Sequence, residues 1–255
     1  MDIAINGINI NYTRKGSGQV MLLLHGWGAY IELFSGIIDL VSSKYDAIAL
    51  DMPGFGHTSE PSHPWCVDDY VDLVIRFIDE LHLDNIILLG HSFGSRIIIK
   101  MMSREEHKFN VDKIIIVDGA GIRPEKSKKA KMRSLIYKIG KTFYSLKIVR
   151  LISPKGLDEW RKKFGSADYN SATPVMRDTL VKVVNEDLTH LLPNVTTETL
   201  LIWGENDTAT PLSDGKKMEE LMPNAGLAVI KNAGHYSFLE QQYVFNRILS
   251  NYLSL

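Results

Sequence analysis

Short, continuous apolar runs punctuate the chain at residues 20–24, 47–50, 86–89, 114–117 and 200–203, with a weaker one at 227–230. Runs of this length without alternation suit strands that are covered on both faces. Between most of them the pattern changes to helical spacing. Across residues 67–81, Val71, Val74, Ile75, Ile78 and Leu81 share one face; residues 97–102 lie in a second such stretch and 244–253 in a third. Ahead of the first run, Ile3, Ile5, Ile8 and Ile10 flank Asn6-Gly7, a pair that supplies the positive φ angles of a two-residue hairpin turn. Apolar strand, amphipathic helix, apolar strand predicts an α/β chain with a mostly parallel sheet and helices on both faces.

The alternation breaks between about Gly121 and Asp187, where no strand-like run occurs. Met132, Leu135, Ile136, Ile139 and Phe143 fall at helical spacing there, with Lys129, Lys131, Arg133, Lys138 and Lys141 off that stripe. The expected organisation is a core made of residues 1–121 and 188–255, with residues 122–187 inserted as a helical cap. The chain's net charge is only −1, yet the 41 residues from Arg123 to Lys163 hold 14 Lys or Arg against 3 Asp or Glu. The cap is therefore basic and the core acidic. A solvated helix face accounts for this; weak contact of the cap with an anionic surface is the sharper reading.

With 255 residues, 45% hydrophobic and 23% charged, the composition is that of a globular protein large enough to need no covalent staple. The single Cys66 cannot form an internal disulfide. The opening residues show no basic segment followed by an apolar core, and no apolar run approaches the ~18–20 residues that span a bilayer. A cytoplasmic protein without signal peptide is the expectation. The eight histidines show no metal-binding spacing and no phosphate-cradling Gly-rich loop is present, so neither metal, cofactor nor nucleic acid is expected.

Four loops that follow apolar runs carry candidate chemistry. Gly90-His91-Ser92-Phe93-Gly94 has the Gly-x-Ser-x-Gly spacing between a strand and a helix, where a sharp turn would raise the Ser92 hydroxyl above the sheet edge. An ordinary helix N-cap serine is the alternative. His25-Gly26-Trp27-Gly28 can aim the Trp27 backbone N–H at the same point as that of Phe93, a pair suited to an oxyanion, or can be a glycine-rich turn and no more. Asp207 and His235 each sit in a loop past a strand. Asp207 would hold the His235 tautomer, and His235 would take the Ser92 proton. Taken singly, an Asp here is as readily a loop cap and a His a structural residue; the order Ser92, Asp207, His235 is what joins them.

On these four loops, together with the loop from Asp51 to Thr58, the chain resembles the α/β-hydrolase family over nearly its whole length. The resemblance implies an eight-stranded, mostly parallel sheet with the cap inserted after the sixth strand. It implies Ser92, Asp207 and His235 as catalytic residues and Trp27 and Phe93 as oxyanion-hole amides. It implies a structural role for Asp51, and Asp118 is a rival position for the acid. Ser95 departs from the Gly or Ala often found there, but is small enough to keep the helix close to the strand. Ser92 at the elbow argues against epoxide or halide chemistry, which uses Asp.

The expected activity is hydrolysis of a small or medium carboxylic ester through an acyl-enzyme, with a small ester-like molecule as the only partner required. The same triad could serve a C–C bond hydrolase of β-diketone-like substrates, a lactonase or an acyltransferase. A reading of another class is a receptor that binds a small ligand without turnover. Tyr137, Phe143, Tyr144, Trp160 and Phe164 in the cap could line an acyl pocket or pack the cap itself.

Overall fold

The computed structural model describes residues 1–104, 108–123, 128–164 and 166–255; within the inserted helices it leaves out the side chains of residues 128–131, 133–135, 147, 148, 150, 158, 161, 162 and 164. The side chains of Lys129, Lys131, Arg133, Leu135 and Phe164, singled out above, thus lie outside the described residues.

The strands are β1 (Asp2–Ile5), β2 (Ile8–Gly16), β3 (Val20–Leu24), β4 (Asp46–Leu50), β5 (Ile86–His91), β6 (Val111–Val117), β7 (Thr199–Gly204) and β8 (Ala225–Ile230). They form one eight-stranded sheet in the order β1-β2-β4-β3-β5-β6-β7-β8. β1 and β2 are antiparallel, joined through Asn6 (φ 51°) and Gly7 (φ 78°), the left-handed pair that the hairpin turn requires. β2 runs antiparallel to β4, and β3 to β8 are parallel.

The apolar runs are explained by burial on both sides. Leu22, Leu24, Ile48, Leu50, Leu88, Ile114 and Ile116 point into one core layer, while Met21, Leu23, Ala47, Ala49, Ile87, Leu89, Ile115 and Val117 point into the other. α1 (Ser35–Val41), α10 (Ser237–Glu240) and α11 (Gln242–Leu253) cover the second layer, with Ile37, Phe238, Phe245 and Leu249 buried in it. α2 (Val67–Glu80), α3 (Phe93–Met102) and α9 (Leu212–Leu221) cover the first, with Val71, Phe77, Ile97 and Met218. Each helix gives the sheet one apolar stripe; α3 also buries Arg96.

Between β6 and β7 the described chain is helical: α4 (Lys128–Ser145), α5 (Lys147–Ile152), α6 (Gly156–Phe164), α7 (Ala167–Ser171) and α8 (Pro174–Asn185). α8 is tied to the core. The backbone N–H of Trp65 donates to Thr179 Oγ1 (3.1 Å), Lys182 Nζ donates to the Pro64 carbonyl (2.6 Å), and Thr173 Oγ1 donates to Glu60 (2.8 Å). α4 differs from the simplest expectation for an apolar stripe. Met132, Ile136, Ile139 and Phe143 are 58, 45, 61 and 53% exposed. The helix instead packs through Gly140, where a Cβ would lie 2.1 Å from the Trp160 ring, and through the Tyr137 carbonyl, which accepts from Trp160 Nε1 (3.2 Å). The ring of Trp160 leaves room for glycine only, so α4 turns that face, not its apolar stripe, to α6.

Candidate active site

Ser92 stands where β5 becomes α3, and its backbone is held at φ 49°, ψ −108°. A non-glycine residue there is strained by about 1–3 kcal/mol, so the surroundings must enforce it. The Ser92 N–H donates to the Val117 carbonyl, and the Ser92 carbonyl accepts from the N–H groups of Ser95 and Ala120, each at 3.1 Å. The two flanking glycines are required by close approach. A Cβ on Gly90 would lie 2.8 Å from the backbone of Gly94 and Ser95, and one on Gly94 only 2.0 Å from the Leu24 carbonyl oxygen. Ser95 does more than stay small. Its buried hydroxyl lies within donating distance of the Ser92 carbonyl (2.5 Å) and the Ala120 carbonyl (2.7 Å), fastening the elbow to the loop after β6.

The loops after β7 and β8 bring Asp207 and His235 to this point. His235 Nε2 lies 2.9 Å from Ser92 Oγ, and His235 Nδ1 lies 2.8 Å from Asp207 Oδ2. With Nδ1–H donating to the carboxylate, Nε2 is free to accept the serine proton. Asp207 is buried, which works to raise its pKa, but hydrogen bonds from His235 and Thr210 outweigh that and hold it below the usual range. Its Oδ1 also accepts from the N–H groups of Ala209 (2.8 Å) and Thr210 (3.0 Å). Glu205 turns elsewhere, accepting from the Asn232 N–H at 3.4 Å.

Asp118, the rival acid, does not reach the histidine. It accepts from the Gly204 N–H (2.7 Å) and from both the N–H (3.0 Å) and hydroxyl (2.6 Å) of Ser237. It therefore clamps the end of β7, which leads to Asp207, onto the start of α10, which follows His235. Burial pushes its carboxyl up to about 7, against the three donors that favour the ionised form. His91 is equally hidden. Its Nε2–H donates to the His235 carbonyl (2.8 Å), and burial, with a smaller contribution from the neighbouring His235, drives its pKa down to about 3. The end-of-strand position of Asp118 was readable in the sequence. Nothing in the sequence separated the roles of His91 and Ser95.

The loop from His25 to Gly28 is set by a neutral imidazole. His25 Nε2 accepts from the Met52 N–H (2.9 Å), so Nδ1 carries the proton and donates to the Gly26 carbonyl (2.7 Å). Burial lowers the pKa of His25 and keeps it neutral. Asp51 braces the facing loop by accepting from Asn11 Nδ2 (2.8 Å) and the N–H groups of Ile31 and His57 (2.9 Å each). Trp27 packs edge-on against Phe55 and Phe93. Among the described hydrogen bonds, neither the Trp27 nor the Phe93 N–H has an acceptor. The Phe93 amide, in the first turn of α3, adds the positive end of the helix dipole.

A cavity of about 370 Å³ opens beside Ser92 and His235, walled by Trp27, Phe93, Arg96, Ile122, Leu180 and Val183 among others. A second, of about 220 Å³, lies across Trp27 against Phe55 and Met176. The first borders the hydroxyl and has room for a small molecule; Trp27 lines both. Tyr137, Phe143, Tyr144 and Trp160 are not part of either described lining; Tyr144 stacks obliquely on Trp160 within the inserted helices. Among the described residues no cluster of His, Cys, Asp or Glu could hold a metal, and no helix is long and apolar enough to cross a membrane.

Comparison with known proteins places this geometry in context. Residues 21–247 match the family model described as alpha/beta hydrolase family. Pimeloyl-[acyl-carrier protein] methyl ester esterase of Legionella pneumophila (strain Paris) is 24% identical, covering 96% of this chain and 100% of its own. A 2-hydroxy-6-oxo-2,4-heptadienoate hydrolase of Pseudomonas putida is also 24% identical, over 99% of this chain and 95% of its own. Among solved structures, an esterase from Exiguobacterium antarcticum superposes with a TM-score of 0.77 at 24% identity, covering 99% of this chain and 98% of that one.

Proposed function

The chain belongs to the alpha/beta hydrolase family, and on that premise we propose that it is a serine hydrolase cleaving a small or medium carboxylic ester through an acyl-enzyme. The observation that carries this reading is the continuous chain of contacts from Ser92 Oγ through His235 to Asp207. Ser92 Oγ attacks the ester carbonyl carbon while His235 Nε2 takes its proton. The oxyanion that forms accepts from the Trp27 and Phe93 N–H groups. Collapse breaks the ester C–O bond, and His235 returns the proton to the departing alcohol. Water then enters, gives its proton to His235 and attacks the acyl carbon. The carboxylic acid leaves and the proton returns to Ser92 Oγ. Asp207 holds the imidazole in the tautomer this needs and stabilises it when protonated. In this reading residues 122–187 act as a cap that chooses the substrate, over a core of residues 1–121 and 188–255. Contact of the basic cap with an anionic surface is supported by exposed Lys138 and Lys141 beside exposed Ile139. Co-sedimentation with phosphatidylglycerol vesicles would detect that contact, and its absence at low salt would remove it.

The second reading is C–C bond hydrolysis of a β-diketone-like substrate on the same elbow, one relative being a hydrolase of 2-hydroxy-6-oxo-2,4-heptadienoate, itself a keto acid. The deciding experiment is fluorophosphonate labelling of the wild type and of Ser92→Ala, followed by a 4-nitrophenyl ester series and a panel of lactones and β-diketones. Labelling and ester turnover that vanish in Ser92→Ala, with circular dichroism unchanged, support the proposal. Full turnover in that variant overturns it. Turnover confined to β-diketones moves the activity to C–C hydrolysis, and a chain that neither labels nor turns over any of these is a binder.

A further inference from the structure

Three cations follow one another at intervals of four residues: Arg96 and Lys100 on α3, and Arg104 just past its end. Two of them are paired. Lys100 meets Asp68 and Glu186, and Arg104 meets Asp68 and Asp72. Arg96 is the most deeply buried of the three, only 6% exposed, and among the described residues it forms no ion pair. Its described hydrogen bond runs from Nη1 to the backbone carbonyl of Glu186 (2.7 Å), whose own carboxylate is engaged by Lys100. A guanidinium carries five N–H donors and does not shed its proton at ordinary pH. The carboxylates of Glu186 and Asp187 act on it through space without a described ion pair; a guanidinium buried without a hydrogen-bonded carboxylate is unfavourable, and natural interiors pair such a charge.

Arg96 lines the cavity that holds Ser92 and His235, one helical turn, about 6 Å of rise, beyond Ser92. The adjoining wall is apolar, with Ile122, Leu180 and Val183 all buried. The other charged groups bordering the cavity are carboxylates set apart from Arg96. Asp168 is exposed, with Oδ1 4.0 Å from where a Cβ on Gly28 would stand. Asp214 sits on α9, with a side-chain hydrogen bond to Ser213. Burial lowers the Arg96 pKa, to about 10, so it stays charged at neutral pH.

We propose that Arg96 is a specificity-determining residue that receives a carboxylate of the substrate, so that the preferred ester is a half-ester of a short dicarboxylic acid. The acyl chain lies along Ile122, Leu180 and Val183, the scissile carbonyl at Ser92 and the free carboxylate at the guanidinium. A bidentate pair forms there in place of the missing internal partner. The proposal rests on the hydrolase reading for the word substrate, but the cation and its cavity exist independently of turnover.

The test has a binding arm and a kinetic arm. In the first, monomethyl glutarate and its neutral counterpart, dimethyl glutarate, are titrated calorimetrically into Ser92→Ala and into Ser92→Ala with Arg96→Met. Tighter binding of the acid, lost at least tenfold with Arg96→Met and partly kept with Arg96→Lys, is expected. In the second, kcat/KM is compared for mono-4-nitrophenyl glutarate, 4-nitrophenyl valerate and carboxypropyl valerate, which carries its carboxylate on the alcohol side. Each is normalised to its alkaline hydrolysis rate. The ratio of the glutarate to the valerate should fall at least tenfold in Arg96→Met. A purely structural arginine would lower both rates, and the melting temperature, while leaving the ratio alone; that result overturns the proposal. So does equal binding of acid and diester, or a preference for the alcohol-side carboxylate. If no ester is turned over, the hydrolase reading fails and the binding arm still decides whether Arg96 captures a carboxylate.

Discussion

His91 is buried against His235, so its titration should be legible in the stability of the whole protein. Folded, its pKa is held at about 3; unfolded, it returns to the ordinary histidine value of 6.5. Below pH 6.5 the unfolded chain binds a proton that the folded chain refuses, so stability falls as pH drops from 6.5 towards 3 and is constant above that window. Each pH unit is about 1.4 kcal/mol, which makes the loss about 2 kcal/mol at pH 5 and about 5 kcal/mol at the acid limit. His25 adds a slope of the same sign, because burial lowers its pKa too. The contribution of His91 is therefore isolated as a difference between the wild type and His91→Gln, whose amide can still donate to the His235 carbonyl but cannot titrate. Urea unfolding at about pH 7.5 and about pH 5 should show the variant losing about 2 kcal/mol less than the wild type across that interval. Parallel losses in the two proteins, with equal m-values, would show that position 91 is not buried in its neutral form and would refute the reasoning.

Three further outcomes are expected. Asp207→Asn should leave the fold intact but lower ester turnover by about 10⁴, because an amide no longer selects the Nδ1–H tautomer; stopped-flow release of nitrophenol measures it, and a loss under tenfold would exclude Asp207 as the orienting acid. Asp118→Ala should strip acceptors from the Gly204 N–H and from both donors of Ser237, lowering stability by about 3 kcal/mol or more in urea melts and reducing turnover by displacing the loops of Asp207 and His235. Gly94→Ala should fail to reach the native state or lose about 3 kcal/mol, since the new methyl would stand 2.0 Å from the Leu24 carbonyl oxygen; a melting temperature within two degrees or so of the wild type would contradict that distance.

How far the sequence carries depends on the range of the physics involved. The sheet was legible because burial on both faces writes itself as unbroken apolar runs, and residues 20–24 and 47–50 are strands throughout. The hairpin was legible because Asn6-Gly7 states its own backbone angles. Ser92, Asp207 and His235 were legible as loop residues after strands, and their chain order suggested that they meet. What escaped depends on partners distant in the chain. That Asp118 binds Ser237 rather than His235 is decided across 119 residues, and no local pattern encodes it. Arg96 carried no signal in the sequence, because only the folded chain shows that the carboxylates of Asp68, Asp72 and Glu186 are taken by Lys100 and Arg104. The stripe of α4 read only as a helical face in the insertion, and the Trp160 ring, packed where Gly140 leaves space, shows which face the helix turns to α6.

The fastening of α8 to the loop from Glu60 to Trp65 has an evolutionary consequence. Leu180 and Val183 belong to that helix, so the wall that selects a ligand is also part of what keeps the molecule folded. A lineage drifting towards a bulkier ligand through either position would pay in folding before it gained in affinity. Val184, which borders the same cavity but is 47% exposed, is free of that conflict, and adaptation has its easiest first step there.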